Sequence, residues 1–147
     1  MRWLLPPVVW AMLLAAIGLL AWLAPIGAIA PGPYHWSGAA PVAFGLWLLL
    51  SASGQFRKVE PNINTFRDPN VLVTNGAFAF TRNPMYLGFV FALLGAALLS
   101  NALSALAAPF AFVLIASVWY IPFEERAAAA QFGAAYADYK RRVRRWL

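Results

Sequence analysis

Residues 84–123 read PMYLGFVFALLGAALLSNALSALAAPFAFVLIASVWYIPF, without one Asp, Glu, Lys, Arg or His. Ser100-Asn101 divides the stretch into two apolar runs, 84–100 and 102–123, each close to the roughly 20 residues a helix needs to cross a bilayer. Two such runs joined by a tight polar turn predict a helical hairpin, because a backbone surrounded by lipid must satisfy its own hydrogen bonds. Gly88, Ala92 and Ala96 recur every four residues on the first of these helices. That spacing makes a stripe of small residues against which another helix can lie closely, and it reads as packing rather than chemistry.

Upstream, residues 8–30 form a long apolar run broken only by small residues and Pro25, and residues 38–56 form a second one rich in Leu and Trp. Both read as membrane spans. A cleavable leader is the alternative for the first, since Arg2 precedes it and Ala28-Ile29-Ala30 resembles a cleavage site. The run exceeds the usual core of such a leader, and Pro31 would follow the cut, so a span is expected. Pro31-Gly32-Pro33 marks the loop between the two spans, with Tyr34 and Trp36 as interface aromatics. Residues 57–83 are polar and rich in turn formers, and their apolar pieces Val71-Leu72-Val73 and Phe78-Ala79-Phe80 predict a folded segment against the membrane surface.

Downstream, Pro122 lacks an N–H and clashes with the carbonyl four residues back, so the fourth helix is expected to kink or end there. Phe132, Tyr136, Tyr139, Val143 and Trp146 then fall on one helical face, with Lys140, Arg141, Arg142, Arg144 and Arg145 crowding the last turns. This predicts an interfacial amphipathic helix whose basic residues meet anionic lipid headgroups, at about 1 kcal/mol each. With four spans, Arg2, the loop carrying Arg57, Lys58, Arg67 and Arg82, and the basic tail share one side, while the two opposite loops carry no Lys or Arg. The positive-inside rule makes that side, with both termini, cytoplasmic. The fold class expected is all-α, a polytopic bundle of about four transmembrane helices plus a C-terminal interfacial helix. It forms a single domain, 1–147, with two N-terminal spans in 1–56 and a ligand-binding half in 57–147.

Composition agrees. The chain is 63% hydrophobic and 11% charged, far more apolar than a soluble domain. Its net charge of +6 is better directed at lipid headgroups than at nucleic acid. The absence of cysteine excludes disulfides, thiolate metal sites and a cysteine nucleophile. The single histidine, His35, falls in a loop on the far side, and no carboxylate spacing suggests a metal site. What remains for chemistry is Gly76–Tyr86, reading GAFAFTRNPMY, and the pair Glu124-Glu125. Pro84 suits the first turn of a helix and Asn83 its N-cap, which places Arg82 beside free N–H groups where an anion such as a carboxylate is welcome. The Glu pair follows Pro122 in a first helical turn, where carboxylates gain from the dipole and can accept from an ammonium or hydroxyls. Helix capping plus interface charge explains the same residues, and the residues alone leave both readings open.

Taken together, Gly76 to Tyr86, an apolar hairpin, Glu124-Glu125, Phe132-Gly133, Tyr136 and Tyr139-Lys140-Arg141-Arg142-Val143 resemble the isoprenylcysteine carboxyl methyltransferase and phospholipid methyltransferase superfamily. The resemblance covers roughly residues 57–147. It implies S-adenosylmethionine as cofactor, with Gly76, Phe78, Arg82, Asn83, Pro84, Tyr86, Glu124 and Glu125 around it and Arg82 and Glu125 closest to the chemistry. Asn83 stands where the eukaryotic prenylcysteine enzymes have His, as in many bacterial members. Residues 117–123 lack the arginine those enzymes carry before the Glu pair, which argues against a prenylcysteine carboxylate as acceptor. The expected activity is methyl transfer to a lipophilic acceptor (carboxylate, thiol or amine) arriving from the bilayer. The rivals are a non-enzymatic transporter subunit or scaffold, disfavoured because no span carries an ionisable residue in its middle, and a membrane reductase of related fold, for which the chain is short.

Overall fold

The computed structural model describes residues 5–59 and 71–147. It is a bundle of apolar helices: α1 (Pro6–Leu23), α2 (Ala39–Val59), α3 (Pro84–Ser100), α4 (Ala107–Ile115) and α5 (Ile121–Arg142). Three helical stretches are long and apolar enough to span a membrane, Pro6–Leu23, Gly32–Arg57 and Leu103–Arg142. The fourth, α3, has 17 residues and rises about 25 Å, at the short end of the spanning range. The protein is therefore an integral membrane helix bundle with four apolar crossings, as its sequence predicts. Exposed Met12, Trp22, Phe44, Trp47, Leu50, Phe110, Leu114 and Val118 give the bundle the greasy exterior that lipid requires.

The first crossing is shorter than its apolar run. Ala24 precedes Pro25 and leaves the helical region (φ −151°, ψ 66°), so α1 stops at Leu23 rather than near residue 30. Residues 24–31 instead form a connection held from across the bundle. Asn101, in the left-handed region (φ 52°) between α3 and α4, accepts from the N–H groups of Ile29 (3.0 Å) and Ala30 (2.9 Å) and donates to the Ala30 carbonyl (3.1 Å). The Leu103 N–H adds a bond to the Gly27 carbonyl. One asparagine thus forms the turn of the hairpin and ties the opposite loop to it, satisfying backbone groups that would otherwise stand open near lipid. Tyr34 and Trp36 lie exposed beside it in the 3-10 segment Gly32–Gly38.

The closest packing joins α2, with the turn before it, to α3. A Cβ on Gly38 would stand 2.5 Å from the Gly95 carbonyl oxygen, and one on Gly45 2.6 Å from that of Gly88; the reciprocal contacts are 2.5 and 2.8 Å. Backbone therefore meets backbone, the arrangement small residues permit. The stripe on α3 runs through Gly88, Ala92 and Gly95, all buried, while Ala96 is only partly buried and packs on the core around Phe112 and Leu93.

Pro122 neither ends nor breaks the last helix. Ala116–Tyr120 form a π-turn, and the helix continues through Ile121–Arg142. The wider turn just ahead of the proline relieves its clash with the preceding turn and accommodates the missing N–H. The interruption comes at Gly133 (φ 50°, ψ −119°), in the left-handed region open to glycine. The expected amphipathic helix is thus the far part of α5. It ends at Arg142, because Val143 is extended (φ −122°, ψ 132°), so Val143 and Trp146 do not share its face; residues 143–147 fold back as a strap. Tyr136 and Tyr139 are buried, Phe132 is partly so, and Lys140, Arg141, Arg142 and Arg144 are exposed. Arg2, Arg67 and the side chain of Lys58, counted above on the charged side, lie outside the described residues, as do the turn formers of 60–70. Arg57, Arg82, the Glu pair and the strap all gather at the end opposite Asn101.

Candidate functional site

The site is built where the N-terminus of α3 meets α5 and the strap. Residues 71–83 lead into it as a folded segment: Val73 and Phe78 are buried with Ala52 of α2, Phe78 packs edge-to-face on Phe56, and Met85 closes the cluster. The Tyr139 hydroxyl donates to the Phe78 carbonyl at 2.7 Å, tying the segment to α5. Its turn Gly76–Ala79 begins at φ +56°, and a Cβ on Gly76 would run into the Gln55 side-chain amide. With its amide turned so that nitrogen faces the Asn75 carbonyl (3.2 Å) and oxygen the Ala77 N–H (3.3 Å), Gln55 holds both ends of that turn.

Asn83 occupies the N-cap position of α3 and Pro84 its first turn, as expected, but the Asn83 side chain does not cap the helix. Its Nδ2 instead donates 2.9 Å to the Arg145 carbonyl, which also accepts from the Thr81 hydroxyl (3.2 Å). The strap competes for this side chain and wins, because the extended 144–145 backbone has no helical partners of its own. The Arg82 N–H donates to the Arg144 carbonyl at 3.0 Å.

Charge concentrates on Glu125. Its Oε1 takes Arg82 Nη2 at 3.0 Å and Arg145 Nε at 3.2 Å, and its Oε2 takes Arg145 Nη2 at 2.6 Å. The Arg82 side chain is only 9% exposed and that of Glu125 12%, against 40% for Arg145. Hydrogen bonding to Glu125 pushes the Arg145 guanidinium above its ordinary range. Two guanidiniums thus share one carboxylate, and Arg82 Nε and Nη1 are buried with no acceptor among the described residues. Glu124 lies at the surface of α5 and accepts a 2.7 Å bond from the buried Tyr86 hydroxyl through Oε1. Because the helix runs unbroken through Pro122, the Glu pair is held by these side chains rather than by free N–H groups of a new helix.

Of the residues singled out in the sequence, Arg82 and Glu125 are in contact, Tyr86 and Glu124 are in contact, and Asn83 and Pro84 sit between them at the start of α3. Gly76 and Phe78 lie on the other side of the segment, against α2. Gly76 lines an open groove of about 450 Å³, whose walls include Phe44, Trp47, Gln55, Phe80 and Leu147. Arg82 and the Glu pair do not line that groove, so the polar cluster is closed upon itself beside it. Sequence reasoning missed Gln55, Thr81 and Ser117. It also took Arg145, Trp146 and Tyr139 as parts of a membrane-facing helix, whereas each turns inward.

The arginine-asparagine-proline turn and the paired glutamates thus stand together at one end of an all-helical membrane bundle. The chain matches the family model for phospholipid methyltransferase over residues 33–135 and belongs to that family. It is also similar to methanethiol S-methyltransferase 2 of Bradyrhizobium diazoefficiens, 36% identical over 101 residues that cover 68% of this chain and 35% of that protein. The chain therefore spans about a third of that relative's length. No solved structure gives a significant match.

Proposed function

We propose that the chain transfers the methyl group of S-adenosylmethionine to a lipophilic acceptor at the cytoplasmic mouth of the bundle, in the bacterial inner membrane. The observation that carries this reading is Arg82, nine-tenths buried with two donors lacking acceptors among the described residues, in a cluster of two guanidiniums and one carboxylate. A buried cation left part-satisfied is costly, so the cluster suits an acceptor-only anion, which the cofactor's carboxylate is. The chemistry of the residues fits the cofactor in its other parts. Glu124 Oε2 and the Glu125 carboxylate accept from an ammonium or ribose hydroxyls, Tyr86 holds Glu124, and Asn83 and Pro84 fix the turn that carries Arg82. Gly76 and Phe78 act at one remove, shaping and anchoring the wall between this cluster and the groove.

When bound, the cofactor supplies a methyl group already activated on a sulfonium. The protein then has to align a nucleophile with it and exclude water, and proximity alone lowers such a barrier substantially. The apolar groove between α2 and residues 76–81 is the natural place for a lipophilic acceptor entering from the bilayer. Of carboxylate, thiol and amine, the name of the methanethiol enzyme favours a thiol, which as thiolate needs no strong base beyond its approach to the cluster. The exposed Lys140, Arg141, Arg142 and Arg144 hold this face to anionic headgroups. The test is transfer of labelled methyl from S-adenosylmethionine to hydrophobic thiols, carboxylates and amines by the purified protein. Labelled thioether is expected, with at least a tenfold loss of kcat/KM in Arg82→Ala; no transfer to any of the three acceptor classes, or an unaffected variant, would overturn the reading.

A further inference from the structure

We propose that the C-terminal strap, residues 143–147, is part of the cofactor site, with Arg145 acting beside Arg82 as the second half of a two-guanidinium receptor for the cofactor's carboxylate. This rests on the cofactor reading above and adds to it a residue from a segment that the sequence explains equally well as a lipid anchor.

The strap is fixed rather than draped. Three successive residues, Thr81, Arg82 and Asn83, donate to its carbonyls at 144 and 145, at 3.2, 3.0 and 2.9 Å. One residue further on, the Trp146 indole N–H donates to Ser117 Oγ at 3.2 Å, within the π-turn, and the ring packs against the main core. Arg145 is thereby held between two anchored neighbours, and its side chain, 40% exposed, reaches back onto Glu125. The other basic residues of this end, Lys140, Arg141, Arg142 and Arg144, are exposed as a lipid anchor requires, and Arg141 is occupied with Asp138. Arg145 departs from them.

Among the described residues, the charges of this cluster do not balance. Arg82 and Arg145 each carry a full positive charge and share Glu125, while Glu124 is engaged with Tyr86. Arg145 binds Glu125 through its Nε–Nη2 edge, which leaves Nη1 without a partner among the described residues, on a side chain 40% exposed. Arg82 keeps Nε and Nη1. One further anion with acceptor oxygens neutralises the cluster and takes donors from both guanidiniums, which matches a carboxylate better than it matches any neutral group. Arg145 also holds Glu125 against Arg82, so it positions the shared carboxylate while it receives the ligand.

Equilibrium binding by calorimetry tests this on the full chain in detergent, with S-adenosylmethionine and its decarboxylated counterpart as paired probes. Arg145→Gln is expected to weaken S-adenosylmethionine roughly tenfold, allowing for the partial exposure of Arg145, and to weaken the carboxylate-free compound severalfold less, through the displaced Glu125 alone. A variant that weakens both compounds equally would make Arg145 merely structural, and one that weakens neither would remove the strap from the site. Failure of the unaltered chain to bind either compound would instead fell the cofactor reading, and this proposal with it. Should Arg145→Gln not fold, Arg145→Lys is read by the same difference, since one ammonium cannot span Glu125 and the ligand together.

Discussion

Replacing Glu125 by Gln keeps the side chain's shape and deletes its charge, leaving Arg82 and Arg145 facing each other across an amide. In the native protein that carboxylate receives three contacts, at 3.0, 3.2 and 2.6 Å, from two cations. Removing one member of a buried ion pair costs about 3–5 kcal/mol, because the survivor stays buried and uncompensated. Arg82, at 9% exposure, falls under that rule; Arg145, at 40%, relaxes toward water and contributes little. The amide oxygen still accepts one bond, so a loss of about 3 kcal/mol is expected, large against a typical margin of about 5–15 kcal/mol. The assay is reversible unfolding in mixed detergent micelles followed by tryptophan fluorescence, with Glu124→Gln as companion. An amide at 124 still accepts from Tyr86, so that variant is expected to lose about 1 kcal/mol or less. A double-mutant cycle with Arg82→Gln isolates the pair, with an expected coupling of about 2 kcal/mol or more. The reasoning is refuted if Glu125→Gln lies within about 0.5 kcal/mol of the unaltered protein, or if the two glutamates cost the same.

Two further changes probe the parts that carry the cluster. Tyr139→Phe removes the 2.7 Å bond to the Phe78 carbonyl and leaves that oxygen without its donor, so about 1–2 kcal/mol of stability and faster proteolysis within residues 71–83 are expected; unchanged cleavage would separate the segment from α5. Gly45→Ala places a methyl 2.6 Å from the Gly88 carbonyl oxygen and 2.7 Å from the Ala92 nitrogen, both backbone, so α2 and α3 must part, at about 1–3 kcal/mol in the same unfolding assay. A neutral result would mean that the helices are not in close contact.

The architecture was legible because its causes are local. Four apolar runs, the Ser100-Asn101 turn, Pro84 at the start of α3 and most of a small-residue stripe, Gly88 and Ala92 though not Ala96, are visible within a few residues of themselves, and lipid leaves helices as the only outcome for such runs. The end of α1 was misread because hydropathy records composition, and residues 24–30 stay apolar after Ala24-Pro25 has broken the helix. Of the kink or end expected at Pro122, the end does not occur, because the π-turn that lets the helix continue through it has no signature in composition. At the site, Arg82, Tyr86 and the Glu pair belong to a recognisable pattern. Arg145 does not: its partner Glu125 lies 20 residues away, and its neighbours in sequence are genuine surface cations that supply a sufficient explanation for it. Gln55 was passed over because a lone amide near the end of a span looks like a return to water, and only its bonds across to residues 75 and 77 reveal what it holds.

The claim on which the rest depends is that the buried Arg82 guanidinium receives the ligand's carboxylate. A crystal or electron cryomicroscopy structure of the chain with S-adenosylhomocysteine, the demethylated product, tests it without any assumption about the acceptor. The carboxylate is predicted within hydrogen-bonding distance of Arg82 Nε or Nη1, with the Glu pair turned toward the ammonium or ribose; a nucleoside bound elsewhere, leaving those two nitrogens without it as they stand among the described residues, would contradict the claim.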